Sequence, residues 1–175
     1  MKSLYESLLG DFESINDKIN PEEEIMAFLK EYYFGCNKNS IKMKLMPNGK
    51  YEVNVYNDLR PRKGKLTKIT NGMFYFNLIE GDVDFEKTLI TSLEGSPKTV
   101  HGFFDCSDCK NLTSLKGSPK QVTQNFYCSG CPKLTSLEGG PKTITGSLYC
   151  ADCGKQFVVK DIEKAQIKVL GEIDL

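Results

Sequence analysis

The chain lacks most of the signals that place a protein quickly. It has no apolar run near the roughly 18 residues that mark a membrane-spanning helix. Its opening, MKSLYESLLGDF, has no apolar core of a secretory signal, so the expected location is cytoplasmic. Net charge is absent too: 23 basic side chains balance 23 acidic ones, and that balance calls for neither nucleic acid nor a membrane as partner. There is one histidine, His101, and no phosphate loop, metalloprotease motif or nucleophile elbow. Along its own strand His101 has only Asp105 as a carboxylate neighbour, so a general-base role is not expected. These absences point away from an enzyme and from a bound cofactor.

What the chain has instead is repetition. ITSLEGSPKTVHGFFDCSDCKN is followed by LTSLKGSPKQVTQNFYCSGCPK and then by LTSLEGGPKTITGSLYCADCGK, with Thr91, Thr113 and Thr135 each 22 residues apart. A fixed period in the twenties marks a stacked array. Within the second unit, Val122, Gln124, Phe126 and Cys128 alternate with Thr123, Asn125 and Tyr127, the pattern of a strand with its first set facing inward. Val100, Gly102, Phe104, Cys106 and Ile144, Gly146, Leu148, Cys150 keep the same register. The pairs Leu112/Leu115 and Leu134/Leu137, with Ile90/Leu93, bring the chain back into the core, and Gly-x-Pro-Lys turns it toward the next strand. One such unit cannot close its own core. Stacked at roughly 4.8 Å, the units bury one another's Val, Phe, Leu and Cys columns. The predicted fold is mostly β, a leucine-rich-repeat-like solenoid of parallel stacked strands with 21–25-residue coils and an N-terminal helical region.

Two parts are expected: a helical cap region over 1–40 and the solenoid over 41–175. Leu4, Tyr5, Leu8, Leu9 and Phe12 recur at helical spacing. Asn20-Pro21 followed by three glutamates is a strong helix start, with Gly35 as the stop. Residues 41–56 read as a hairpin turning at Pro47-Asn48-Gly49. The dense basic stretch in 58–65 reads as a solvated turn. Leu66-Thr67-Lys68-Ile69 and Ile79, Gly81, Val83, Phe85 form an earlier, degenerate copy, with Thr88 in the place of the second cysteine. Val158 to Ala165 read as a short helix, and Val169, Gly171, Ile173, Leu175 as a last strand.

The segments LTSLEGSPK, GFFDCSDCKNLTSL and GSLYCADCGKQF, with MKSLYESLL, NPEEEIMAFLKEYY and KVLGEIDL, resemble short leucine-rich-repeat proteins common in bacteriophage genomes. The resemblance covers nearly the whole chain. It implies a viral, interaction-type protein acting in the host cytoplasm on a host protein or defence component, and it carries over no catalytic residues.

Seven cysteines without a secretory signal argue against a disulfide framework. The three CxxC pairs have the spacing of a zinc ribbon, but that spacing is the repeat period, and six ligands make one and a half tetrahedral sites. Cys106, Cys128 and Cys150 are therefore expected inside as small hydrophobes, Cys109, Cys131 and Cys153 at the turn, with no metal ligands. Cys36 is expected to be a buried filler. The outward face of the strands supplies the candidate binding residues: Phe103, Asp105, Asn125, Tyr127, Ser147 and Tyr149. The main expectation is a non-enzymatic protein-binding protein with a protein partner. A zinc- or nucleic-acid-binding module, and a minor virion component, are the alternatives.

Overall fold

A computed structural model describes residues 20–175 except Lys63 and Lys65; the helical spacing over residues 4–12 falls outside them. The described chain begins with helix α1 (Pro21–Tyr32), nucleated as its sequence dictates. Asn20 Oδ1 accepts the N–H of Glu22 at 3.1 Å, proline stands at the first position, and three acids face the positive end of the helix dipole. Ile25, Met26 and Leu29 are buried. The helix ends before Gly35 because Tyr33 turns into extended backbone. There it starts β1 (Tyr33–Phe34), which pairs antiparallel with β4 (Arg60–Pro61). Tyr33 is fully enclosed, its ring packs edge-on to Phe76, and its hydroxyl donates to Ile69 O at 2.7 Å.

Strands β2 (Ile41–Leu45) and β3 (Tyr51–Val55) form the expected antiparallel hairpin, with Gly49 at φ +75° in its turn. From β3 onward every pairing in the two larger sheets is parallel, the arrangement that stacked coils require. β3 pairs with β5 (Phe74–Ile79), and β7 (Thr99–Val100), β9 (Gln121–Val122), β11 (Thr143–Ile144) and β13 (Lys168–Val169) follow, giving a seven-stranded sheet in the order β13-β11-β9-β7-β5-β3-β2. A five-stranded sheet runs β14-β12-β10-β8-β6, from β6 (Val83–Asp84), β8 (Phe104–Asp105), β10 (Phe126–Tyr127), β12 (Leu148–Tyr149) and β14 (Ile173–Asp174). The molecule is thus a β-solenoid of about six turns.

One expectation needs correction. The alternating run from Val100 to Cys106 is not one strand; it bends at Gly102 and contributes β7 to one sheet and β8 to the other. A Cβ at Gly102 would stand 2.6 Å from Gly81 O, so the missing side chain lets the coils meet backbone to backbone at the bend. Gln124 occupies the same level, and its side chain is exposed rather than inward as the alternation suggested. The bend turns that position out of the core.

A third side of each coil carries the leucines without forming a strand. Leu112, Leu115, Leu134 and Leu137 are buried, and Leu66 and Ile69 repeat the arrangement below them. Phe85, Phe104 and Phe126 form a column along the axis, Phe85 meeting Phe104 edge-on at 5.5 Å and Phe104 lying face to face with Phe126 at 5.3 Å, planes 4° apart. One continuous core runs from Ile25 to Ile167. Helix α2 (Val159–Ala165) replaces the leucine turn in the last coil, burying Ile162 and Ala165. Ile167 takes space that the third repeat vacates: Gly140 stands where the earlier copies have Ser96 and Ser118, and a Cβ there would lie 2.9 Å from Ile167 Cδ1. No helix among the described residues is long and apolar enough to cross a membrane.

Candidate partner-binding face

Parallel in-register stacking lines up the outward side chains of the five-stranded sheet. Asp84, Asp105, Tyr127, Tyr149 and Asp174 form one column. The two tyrosine rings lie face to face, centroids 4.8 Å apart and planes 10° from parallel. The Phe103 ring meets Tyr127 edge-on at 6.1 Å, and Asn125 Nδ2 donates to the Tyr127 hydroxyl at 2.6 Å. Burial pushes the Asp105 carboxyl above its usual range, the N–H and hydroxyl of Ser107 oppose that rise, and the charges of Asp84 and Glu86 add to it.

The six candidate residues therefore come together on one sheet, but not as one kind of group. Asn125 Oδ1 accepts the N–H of Ser147 at 2.9 Å, and Ser147 Oγ accepts the N–H of Glu172 at 3.0 Å. Asp58 and Asp82 do the same in earlier coils, for Asp82 N–H and Phe103 N–H. Asn125 and Ser147 thus belong to a ladder that hands backbone donors from coil to coil beside the bend. Phe103 interrupts this ladder with an aromatic ring. Sequence alternation could not separate the two roles, because both columns point outward. Phe103, Asp105, Tyr127 and Tyr149 remain as side chains whose outward groups the ladder does not use.

The cysteines form a second ladder, directed inward. Cys109 Sγ donates to Phe85 O at 3.2 Å, Cys131 to Cys106 O at 3.3 Å and Cys153 to Cys128 O at 3.2 Å, each tying a turn to the coil before it. Thr88, in the corresponding place, donates instead within its own coil, to Phe85 O at 2.8 Å, and its hydroxyl lies 3.3 Å from Cys109 Sγ in the next coil. The turn role expected of these cysteines is therefore a thiol-to-carbonyl bond between coils. All seven cysteines are free thiols, and among the described residues no three His, Cys, Asp or Glu side chains gather where they could hold a metal. Burial pushes the Cys131 thiol up to about 12 and the Cys36 thiol up to about 11, while the Cys150 thiol is lowered by its hydrogen bond with Cys128. A thiol whose pKa is raised on folding stabilises fully below the unfolded value of about 8.5 and loses that contribution as pH climbs toward the folded value. The melting temperature should therefore fall steadily above about pH 8.5 and be indifferent to a chelator at neutral pH; loss of structure on adding chelator would show that a bound metal holds the coils together.

The basic stretch does more than turn in solvent. Arg60 pairs with Asp58 at 3.0 Å and reaches Asp82 at 4.0 Å. The Arg62 guanidinium lies 4.4 Å from the Phe34 ring centre, and its Nε donates to Lys30 O at 3.3 Å. These contacts fasten the end of α1 to the first coil. His101 also has a neighbour that its own strand did not reveal: Glu80 Oε2, one coil earlier, lies 2.8 Å from Nδ1 in an exposed pair at the bend. Nothing in the local sequence signals such a contact, since 21 residues separate the partners. Comparison with family models, with curated proteins and with solved structures finds no match to this chain.

Proposed function

We propose that the protein is a non-enzymatic binding module that holds a partner protein on the outer face of its five-stranded sheet. The observation that carries this reading is the Tyr127–Tyr149 stack, two partly buried phenols in register on a rigid, hydrogen-bonded sheet. Core packing does not call for tyrosine at these outward positions, and tyrosine supplies large contact area at low entropic cost where interfaces concentrate energy. The resemblance of the repeats to short phage proteins is the ground for seeking the partner among host proteins in an infected bacterial cell. Fold alone does not assign a function.

The test is the double substitution Tyr127→Ala, Tyr149→Ala, followed by affinity capture from infected cells and a thermal melt. Cross-strand aromatic pairs contribute roughly 0.2–1 kcal/mol, so the expected melt shift is a few degrees while the captured partner disappears. Retention of the partner by the double variant would move the site elsewhere.

A further inference from the structure

The chain is neutral as a whole, yet its two large sheets are not. Acidic groups populate the outer side of the five-stranded sheet: Asp82, Asp84, Asp105, Glu172 and Asp174 lie in the columns around the tyrosines. None of the outward positions of its strands, nor those two residues before or after them, is Lys or Arg. The side of the molecule bearing the seven-stranded sheet exposes Lys42, Lys98, Lys120, Lys142 and Lys168. The basic groups that do approach the acidic face come from its margins. Arg60 is taken by Asp58 and Asp82, and Lys87 by Glu86 and Asp108. Among the described residues, no Lys or Arg forms an ion pair with Asp105 or Asp174, the two carboxylates that end the aromatic stack.

We propose that this face takes an extended, basic protein segment, with one lysine or arginine lying over the Tyr127–Tyr149 stack and the basic side chains flanking it paired to Asp105 and Asp174. The assignment rests on the binding face argued above and adds the chemistry of the occupant. Three features select it. Tyrosine faces attract cations, most strongly Arg, which also stacks on them. Carboxylates close both ends of the stack, and an acidic or purely apolar partner would leave them unpaired and desolvated. The spacing also fits: Asp105 and Asp174 are three coil steps apart, roughly 14 Å at about 4.8 Å per step. An extended segment places side chains i, i+2 and i+4 on one side over roughly the same 14 Å. The recognised pattern is thus basic-x-basic-x-basic, crossing the coils.

The full chain should be titrated into a fluorescently labelled Arg-Ser-Arg-Ser-Arg peptide and, separately, into a Glu-Ser-Glu-Ser-Glu peptide, with fluorescence polarisation as readout. The expected result is saturable binding of the basic peptide alone. That binding should weaken by about tenfold or more in the Tyr127→Ala, Tyr149→Ala variant and in Asp105→Asn, Asp174→Asn, and fade with salt. A charge-matched control, Glu24→Gln with Glu31→Gln on the exposed side of α1, should bind as the unaltered protein does. Equal weakening in the control would mean a diffuse electrostatic attraction and overturn the proposal, as would failure of the unaltered protein to prefer the basic peptide. If the peptide fails while the tyrosine variant still loses its cellular partner, the face stands and its basic occupant does not. If that variant keeps its partner, the face itself is wrong.

Discussion

Removal of residues 167–175 should lower the melting temperature by on the order of 10 °C and leave a protein that aggregates when warmed. The segment holds β13 and β14, the last strand of each large sheet. Without it Leu148 N–H and Cys150 N–H lose Glu172 O and Asp174 O, both bonds being 2.9 Å, and the main chain at 142–146 loses Lys168, Leu170 and Gly171 as donors. Ile144, Leu148 and Ile162, buried now, would be opened along that side. A solenoid stripped of its terminal coil presents an apolar column and an unpaired strand edge together, the combination that drives edge-to-edge association. The existing end is itself only a thin cover, since Leu170 and Ile173 are 58% and 41% exposed, so its loss bares the buried column directly beneath it. Differential scanning of the truncated chain, with light scattering, tests this; a truncation that melts with the full chain would mean the last coil adds nothing.

Gly117→Ala should be among the most damaging single methyls that can be added to the repeats, since it combines a left-handed φ with a backbone clash. Gly117 has φ +89°, and a Cβ there would lie 2.5 Å from Glu94 Cα and 2.6 Å from Glu94 N, backbone atoms of the preceding coil that cannot turn aside. Gly49 is a matched reference, with φ +75° and nothing within 4 Å of the place a methyl group would take. Gly49→Ala should therefore cost only the left-handed strain of about 1–2 kcal/mol. Gly117→Ala should add the separation of two coils and cost on the order of 3 kcal/mol or more. Urea titration of both variants decides it. Equal losses would mean that the coils part freely at this turn and that stacking at position 117 is loose.

The sequence made the period and the inward set legible because both are consequences of repetition. Val100, Phe104 and Cys106 had to be buried if identical units were to share a core, and they are. The cap helix was legible for a different reason: Asn20, Pro21 and the three following acids act on their own backbone, so no distant partner is needed to read them. The bend at Gly102 was hidden because alternation persists through it; a glycine has no side chain to report which way the chain turns. Position 124, where a glutamine replaces that glycine, was the local sign that this level faces outward. At the candidate face, Tyr127 and Tyr149 could be aligned from the period alone. The part played by Asn125 and Ser147 could not, because an outward amide and an outward phenol obey the same alternation. Glu80 beside His101 shows the general limit: in this fold the neighbours that matter are one coil away, and a reading along the chain passes them by.

The vacancy at Gly140 filled by Ile167 has a consequence for how such a chain can change over time. In a helix a new side chain is accommodated by residues three or four places off; here the partner in any adjustment sits one period up or down. Glu94 with Lys116 and Glu138 with Lys164 already show such pairing in charge, as Gly140 with Ile167 shows it in volume. Substitutions should then be tolerated in vertical pairs, and a whole coil gained or lost would disturb less than a single residue inserted, because only the former keeps every column in step.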